Sequence, residues 1–232
     1  MKDHCRDCPV VKTGLFATLR RSSKSAVSCM MVHGRYKRRQ ILYQEGNPSS
    51  RVYAVKSGMV KIYKSQTYGK DQIIDVMGPG AVFNLESLSL GRCSVSAEVL
   101  AESELCFVER ERLARLLGDN RDLAMEVIRI LSQSLAASHD RMLEFGTQSA
   151  KARLASFFIR LFPLVTDGEA LTTEIRLPIS RREIGDLIGV SLETVSRLFR
   201  LLSREGIASA NHRQVTILSL PRLRKMVERA NL

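Results

Sequence analysis

The chain has 232 residues, enough for one large domain or two small ones with their own cores. Apolar residues make up 44% and charged residues 26%, the balance of a globular protein in water. The formal net charge of +12 is unevenly spread: residues 1–40 hold ten Lys/Arg against two Asp/Glu, residues 41–148 twelve against fourteen, and residues 149–232 fourteen against eight. A basic C-terminal region suits a polyanionic partner, whereas the run Arg35-Tyr36-Lys37-Arg38-Arg39 reads as solvated surface.

No run approaches the ~18 apolar residues of a membrane span. Asp3, Arg6, Asp7 and Lys12 stand where a secretory signal would need an apolar stretch, which predicts a cytoplasmic protein with no membrane partner. Five cysteines, Cys5, Cys8, Cys29, Cys93 and Cys106, are an odd number for a reducing compartment and argue against a disulfide scaffold.

After the Cys5-x-x-Cys8 segment, residues 15–32 have a helical pattern. From about Gln40 to Arg110 the pattern changes to short strands split by glycine turns. Val52 to Tyr63 is rich in β-branched and aromatic residues, with a break at Ser57-Gly58. Tyr68-Gly69 is a hairpin turn before Gln72 to Met77, and Gly78-Pro79-Gly80 is another turn. Val95 to Val99 and Leu105 to Val108 complete the set. Strands at this spacing predict a small sandwich or roll.

A long helix is expected over 119–145. Ala124, Ile128, Leu131, Leu135, Ser138, Met142 and Phe145 recur at alternating steps of four and three, a heptad seam. Leu123, Val127 and Ile130 form a second apolar stripe. One stripe can pack on the roll while the other meets a second copy of the chain, with Ile128, Leu131, Leu135 and Met142 at the interface. Gly146-Thr147-Gln148-Ser149 is the expected hinge, so the predicted organisation is a sensor domain over 1–118, a dimerisation helix over 119–145 and a third domain over 146–232.

A helix over about 150–162 leads to the most informative stretch, residues 180–202. Ser180 and Glu183 make a capping box, Ile184, Leu187 and Ile188 share one face, and Gly189-Val190 turns the chain. Ser191 caps a second helix, on which Val195, Leu198, Phe199 and Leu202 lie together. Glu193, Ser196, Arg197 and Arg200 lie opposite. Two guanidinium groups, a carboxylate and a hydroxyl on one helix face suit base edges and phosphates in a major groove. Residues 206–218 then read as a hairpin, a wing beside that helix.

An α+β chain with a β-roll, a long dimer helix and a winged helix-turn-helix resembles the CRP/FNR family of bacterial transcription regulators. The resemblance covers nearly the whole chain. It rests on Ser57-Gly58-x-Val60-Lys61 with Gly46, Gly69 and Gly80 in the roll. In the C-terminal part it rests on Ile184-Gly185-x-x-Ile188-Gly189-x-Ser191-x-Glu193-Thr194-Val195-Ser196-Arg197. Glu193, Ser196 and Arg197 match the FNR branch, where relatives of the cAMP receptor tend to have Arg at the position of Leu192 and Gly at that of Ser196. The resemblance implies double-stranded DNA, a second copy of the chain and RNA polymerase as partners. It also implies TTGAT-like half-sites, with Glu193 and Arg197 reading a G·C pair and Ser196 helping to read a thymine. Arg200 would contact phosphate, and Ser180, Arg181, Ser191 and Thr194 complete the expected DNA-contacting set.

The signal is less defined. Where the cAMP receptor has the arginine that neutralises a cyclic phosphate, this chain has Val95, with Arg92 displaced from that position, so cAMP is not the expected ligand; a cyclic-nucleotide-responsive regulator of the same family is the alternative. Resemblance to the oxygen-sensing branch implies a [4Fe-4S] cluster, for which Cys5, Cys8 and Cys106 match three ligand positions. The remaining N-terminal ligand is missing, since Gly14 and Phe16 stand where it would fall. The other readings of Cys5-x-x-Cys8 are a redox disulfide or a zinc site, and a fortuitous pair that binds no metal. His33, His139 and His212 are isolated in sequence, and their spacing marks no haem ligand. An enzyme of the dithiol oxidoreductase class would need strand–helix alternation after Cys8, which the sequence lacks, so no catalytic residue is expected.

Overall fold

A computed structural model describes residues 8–12, 21–65, 71–165, 174–211 and 213–228. In chain order these form α1 (Pro9–Lys12), α2 (Arg21–Met30), β1 (Val32–Tyr36), β2 (Ile41–Tyr43), β3 (Arg51–Ser65), β4 (Asp71–Met77), β5 (Val82–Phe83), α3 (Ser87–Leu90), β6 (Ser96–Glu109), α4 (Arg110–Asp119) and α5 (Arg121–Thr147). Then follow α6 (Ala150–Val165), β7 (Glu174–Arg176), α7 (Arg181–Ile188), α8 (Leu192–Arg204), β8 (Ala208–Asn211), β9 (Gln214–Ile217) and α9 (Leu220–Glu228). The chain divides into two compact units, Met1–Ala136 and Ala137–Leu232, and α5 contributes to both.

In the first unit the strands form one antiparallel sheet in the order β1-β6-β3-β4, with β2 added on β6 and β5 on β3. The sequence suggests a break at Ser57-Gly58, yet β3 is continuous. Its pairing with β6 slips in register around Ser57 and Met59, so the glycine marks a bulge and not a turn. Likewise β6 is one strand where the sequence suggests two. The helix expected over 15–32 is shorter: α2 ends at Met30 and β1 begins at Val32. Residues 13–20 and the Tyr68-Gly69 turn lie outside the described residues. A short helix, α4, stands between β6 and α5, where the sequence pattern shows none.

Alternation along the two long strands separates two cores. Tyr53, Val55, Val60, Ile62, Phe83, Ala97, Val99 and Leu105 fill the inside of the roll. Rings stack there, with Tyr53 and Phe83 centroids 5.5 Å apart and Tyr43 5.8 Å from Tyr53. The intervening residues Val52, Ala54, Cys106 and Val108 face the other way, into a second core with Cys8, Val10, Val27, Leu113, Leu123 and Val127. The stripe of α5 that carries Leu123 and Val127 therefore packs on the roll. The heptad seam is left uncovered: Ile128, Leu131, Leu135 and Met142 are 40–72% exposed.

In the second unit β7, β9 and β8 form a three-stranded antiparallel sheet. The hairpin of β8 and β9 occupies the segment read as a wing, and β7 joins it from the linker before α7. The core includes Leu154, Phe158 and Leu161 of α6, Ile184 and Ile188 of α7, and Val195, Phe199 and Leu202 of α8.

Candidate nucleic-acid interface and thiol site

The helix pair is built by local chemistry. Ser180 Oγ accepts from the Glu183 N–H at 3.2 Å, and Glu183 Oε2 accepts from the Ser180 N–H at 2.8 Å, the capping box expected from the sequence. The helix ends at Gly189, whose φ of 71° is left-handed. Gly185 lets the two helices close up, because a Cβ there would lie 2.6 Å from the Val190 carbonyl oxygen. Ser191 Oγ then accepts from the Thr194 N–H at 3.2 Å and starts α8.

Val195, Phe199 and Leu202 hold α8 from beneath. On its other side Glu193, Arg197 and Arg200 are exposed, and Thr194 and Ser196 are half-buried. Arg197 Nη2 donates to Thr194 Oγ1 at 3.1 Å, and that oxygen lies 3.2 Å from Ser191 Oγ, so a short polar chain holds the guanidinium at the helix start. The Glu193 carboxyl is held below the usual carboxylate range, first by its own backbone N–H and then by the Ser191 hydroxyl. It therefore stays ionised and able to accept from an amino group. Arg181 is half-buried, its guanidinium 5.1 Å from the Phe199 ring centroid.

The far end of α8 is anchored by cations. Lys151 Nζ lies 2.6 and 2.7 Å from the two Glu205 carboxylate oxygens, and Arg222 donates to the Glu205 carbonyl at 2.6 Å. The expected sites Ser180, Arg181, Ser191, Thr194, Glu193, Ser196, Arg197 and Arg200 thus lie on α7, α8 and their caps. His212, in the wing turn, lies outside the described residues.

The thiols present a different arrangement. Cys5 lies outside the described residues. Cys8 and Cys106 are both buried, in one core, and the Cys8 pKa is lowered to about 6, chiefly by Cys106. Cys106 Sγ is also 3.0 Å from His33 Nδ1. In the sequence this histidine stands isolated. The signal is strand register: β1 pairs with β6 so that His33 stands opposite Cys106. Cys93 is apart from them, accepting from Asn84 Nδ2 at 3.9 Å.

A [4Fe-4S] cluster is as a rule held by four thiolates. Among the described residues, no three His, Cys, Asp or Glu side chains gather closely enough to hold a metal ion. Of the thiols that match ligand positions, the two among the described residues, Cys8 and Cys106, do not by themselves make such a set. Val95, at the position of the cyclic-phosphate arginine, is half-buried and Arg92 is exposed, while Glu86 Oε1 accepts from Ser94 Oγ at 2.9 Å.

Residues 33–120 match the family profile described as a cyclic nucleotide-binding domain, and residues 152–226 match that of a Crp-like helix-turn-helix domain. The chain is 31% identical to the transcriptional regulatory protein btr of Bordetella pertussis, over 83% of this chain and 80% of that protein. It is 29% identical to the transcriptional activator protein anr of Pseudomonas aeruginosa, over 93% of this chain and 88% of that one. The solved structure of FixK2 from Bradyrhizobium japonicum superposes with a TM-score of 0.78 at 30% identity, covering 84% of this chain and 96% of that chain. No helix among the described residues is long and apolar enough to cross a membrane. With both profiles in order along the chain and relatives alike over most of their length, the protein belongs to the CRP/FNR family of DNA-binding transcription regulators.

Proposed function

We propose that the protein is a cytoplasmic, homodimeric regulator that reads a two-fold symmetric DNA site with TTGAT-like half-sites and answers to the redox state of its surroundings. The observation that carries the DNA reading is the two-sided character of α8. Its apolar side is buried, and its exposed side bears Glu193, Arg197 and Arg200 beside Ser196. Arg197 pairs with guanine, Glu193 accepts from the partner cytosine, Ser196 lies beside the neighbouring thymine, and Arg200 reaches phosphate. Ser180, Arg181 and Ser191 sit at the N-termini of α7 and α8, where helix dipoles and free N–H groups favour phosphate, and Thr194 holds the Arg197 guanidinium.

The uncovered seam of α5 supports the dimer, with Ile128, Leu131, Leu135 and Met142 as its contacts. Two copies would then offer two recognition helices to two half-sites. Residues 1–118 act as sensor, 119–145 as dimer helix and 146–232 as the DNA-binding domain, with RNA polymerase as the partner that reads the bound state. The buried Cys8–Cys106 pair supports a redox signal.

The test is a fluorescence anisotropy titration of the full chain on a TTGAT palindrome and on scrambled DNA, over a salt series. A preference for the palindrome of about 10³ or more, with affinity falling steeply with salt, is expected. Equal affinity for both sequences would overturn the reading.

A further inference from the structure

We infer that Arg153 is a positioning residue for DNA recognition: it fixes the turn between α7 and α8 to the end of α5, and so sets the half-site spacing that a dimer reads. The inference rests on the proposed reading of the chain as a dimer on a two-fold symmetric site.

Arg153 stands on α6, half-buried, and its guanidinium serves two other helices. Its Nε donates to the carbonyl of Ile188, the last residue of α7, at 2.9 Å. Its Nη1 donates to the carbonyl of Gln148, one residue beyond α5, at 2.7 Å. Carbonyls at helix C-termini lack partners within their own helix and favour a cation. One planar fork thus satisfies two such ends and holds them at a fixed separation. The same guanidinium lies 5.3 Å from the ring centroid of Phe145 on α5. Two more contacts fasten the end of α5 to α6. Arg160 Nη1 donates to Glu144 Oε1 at 2.6 Å, and Ser156 Oγ donates to Gln148 Oε1 at 3.4 Å.

What is fixed at Ile188 passes on to α8. Only Gly189, Val190 and Ser191 separate the two helices, and the Val190 N–H donates to the Gly185 carbonyl at 3.0 Å. A turn this short moves α8 with α7. The other end of the link lies on the seam. Met142 and Phe145 hold seam positions on the last turns of α5 and are 72% and 46% exposed. Both belong to the same compact unit as the helix pair. Arg153 therefore stands between the residues proposed to meet a second copy and the helix proposed to enter the groove. On B-form DNA a change of one base pair in spacing moves a half-site by about 3.4 Å and turns it by about 35°. A dimer discriminates such steps only if its two reading helices are held firmly to its interface.

The experiment titrates the full chain against TTGAT palindromes whose central spacer is lengthened one base pair at a time, and against scrambled DNA. Wild type should prefer one spacing over its neighbours by about tenfold or more. Arg153→Gln leaves both carbonyls without their cation and should cut that ratio to about threefold or less. Its preference for TTGAT over a half-site changed at the G·C pair should be kept. A role confined to stability would weaken binding at every spacing alike. Arg153→Lys keeps the charge but not the fork, and should fall between wild type and Arg153→Gln. It carries the test if circular dichroism shows Arg153→Gln to be unfolded. Wild-type spacing discrimination in the folded variant overturns the inference, as does loss of the half-site preference together with the spacing preference. A wild type that binds palindromes of every spacing equally also overturns it. A wild type that binds scrambled DNA as well as any palindrome overturns the functional reading, and the inference with it.

Discussion

The ring of Phe145, near the end of α5, lies against Gly189, the left-handed residue that ends α7; a Cβ on Gly189 would sit 2.9 Å from Phe145 Cε1. Arg153 closes the arrangement. Its guanidinium is 5.3 Å from the Phe145 ring centroid, its Nε donates to the Ile188 carbonyl at 2.9 Å, and its Nη1 donates to the Gln148 carbonyl at 2.7 Å. The last turns of the long helix are thereby tied to the turn between α7 and α8. Gly189→Ala should be destabilising by about 1–2 kcal/mol for the left-handed backbone, with overpacking against Phe145 adding about 1–3 kcal/mol. Phe145→Leu in the same chain should recover the packing part and leave the backbone part. Thermal unfolding of the single and double variants reads both, and a Gly189→Ala protein as stable as wild type would show that the ring does not hold this turn.

The seam on α5 leads to a simple expectation about assembly. Leu131→Asp with Leu135→Asp places carboxylates on a face proposed to be buried against a second copy, at a cost of several kcal/mol. Analytical ultracentrifugation should show monomers, with circular dichroism unchanged because neither side chain is part of the buried core. A variant that stays fully dimeric would remove this seam from the interface.

Thr194 is placed to position Arg197 more than to touch DNA, since its hydroxyl accepts from the Arg197 guanidinium. Thr194→Val should weaken specific binding by about 0.5–1.5 kcal/mol, the worth of one ordinary hydrogen bond. The loss should vanish in an Arg197→Ala background. Additive losses in a double-mutant cycle would mean that Thr194 contacts DNA on its own.

The thiol pair predicts a pH effect. The Cys8 pKa is lowered from 9.0 to about 6, chiefly by the hydrogen bond from Cys106, then by the Val10 and Val11 N–H groups and the charge of Lys56, against burial. Between those two values the unfolded chain keeps the proton and the folded chain does not. Stability should therefore rise with pH across that window and be lost as pH falls through the folded value. Urea midpoints of reduced wild type and Cys8→Ser, compared across the window, isolate this slope. Identical slopes would show that Cys8 is not ionised in the fold.

What could be read from the sequence was what local chemistry decides. Ser180, Glu183, Gly189 and Ser191 act within four residues of themselves, so the helix pair and its facing were legible. The 3.6-residue period of α5 exposed both of its stripes, and Leu123 and Val127 prove to be the packed one. Gly58 misled because a glycine breaks a strand or bulges it, and only its partner strand decides which; β6 runs past it and keeps β3 whole. The pairing of His33 with Cys106 spans 73 residues and follows from register, which no local pattern encodes. The division of β3 and β6 residues between the two cores likewise needed the sheet, and it is what places Cys106 on the helix side and not inside the roll.

Whether α8 reads DNA sequence through its exposed face is tested most directly by binding-site selection from a random duplex library. Wild type should select two TTGAT-like half-sites. Arg197→Ala should cost about 1–3 kcal/mol per half-site and lose preference at the G·C pair, whereas Arg200→Ala should keep the preference while weakening all binding and lowering the salt slope by about one unit. Ser196→Gly should change the preference at the neighbouring pair alone. Full selectivity retained by Arg197→Ala and lost by Arg200→Ala would contradict the facing of the recognition helix described above.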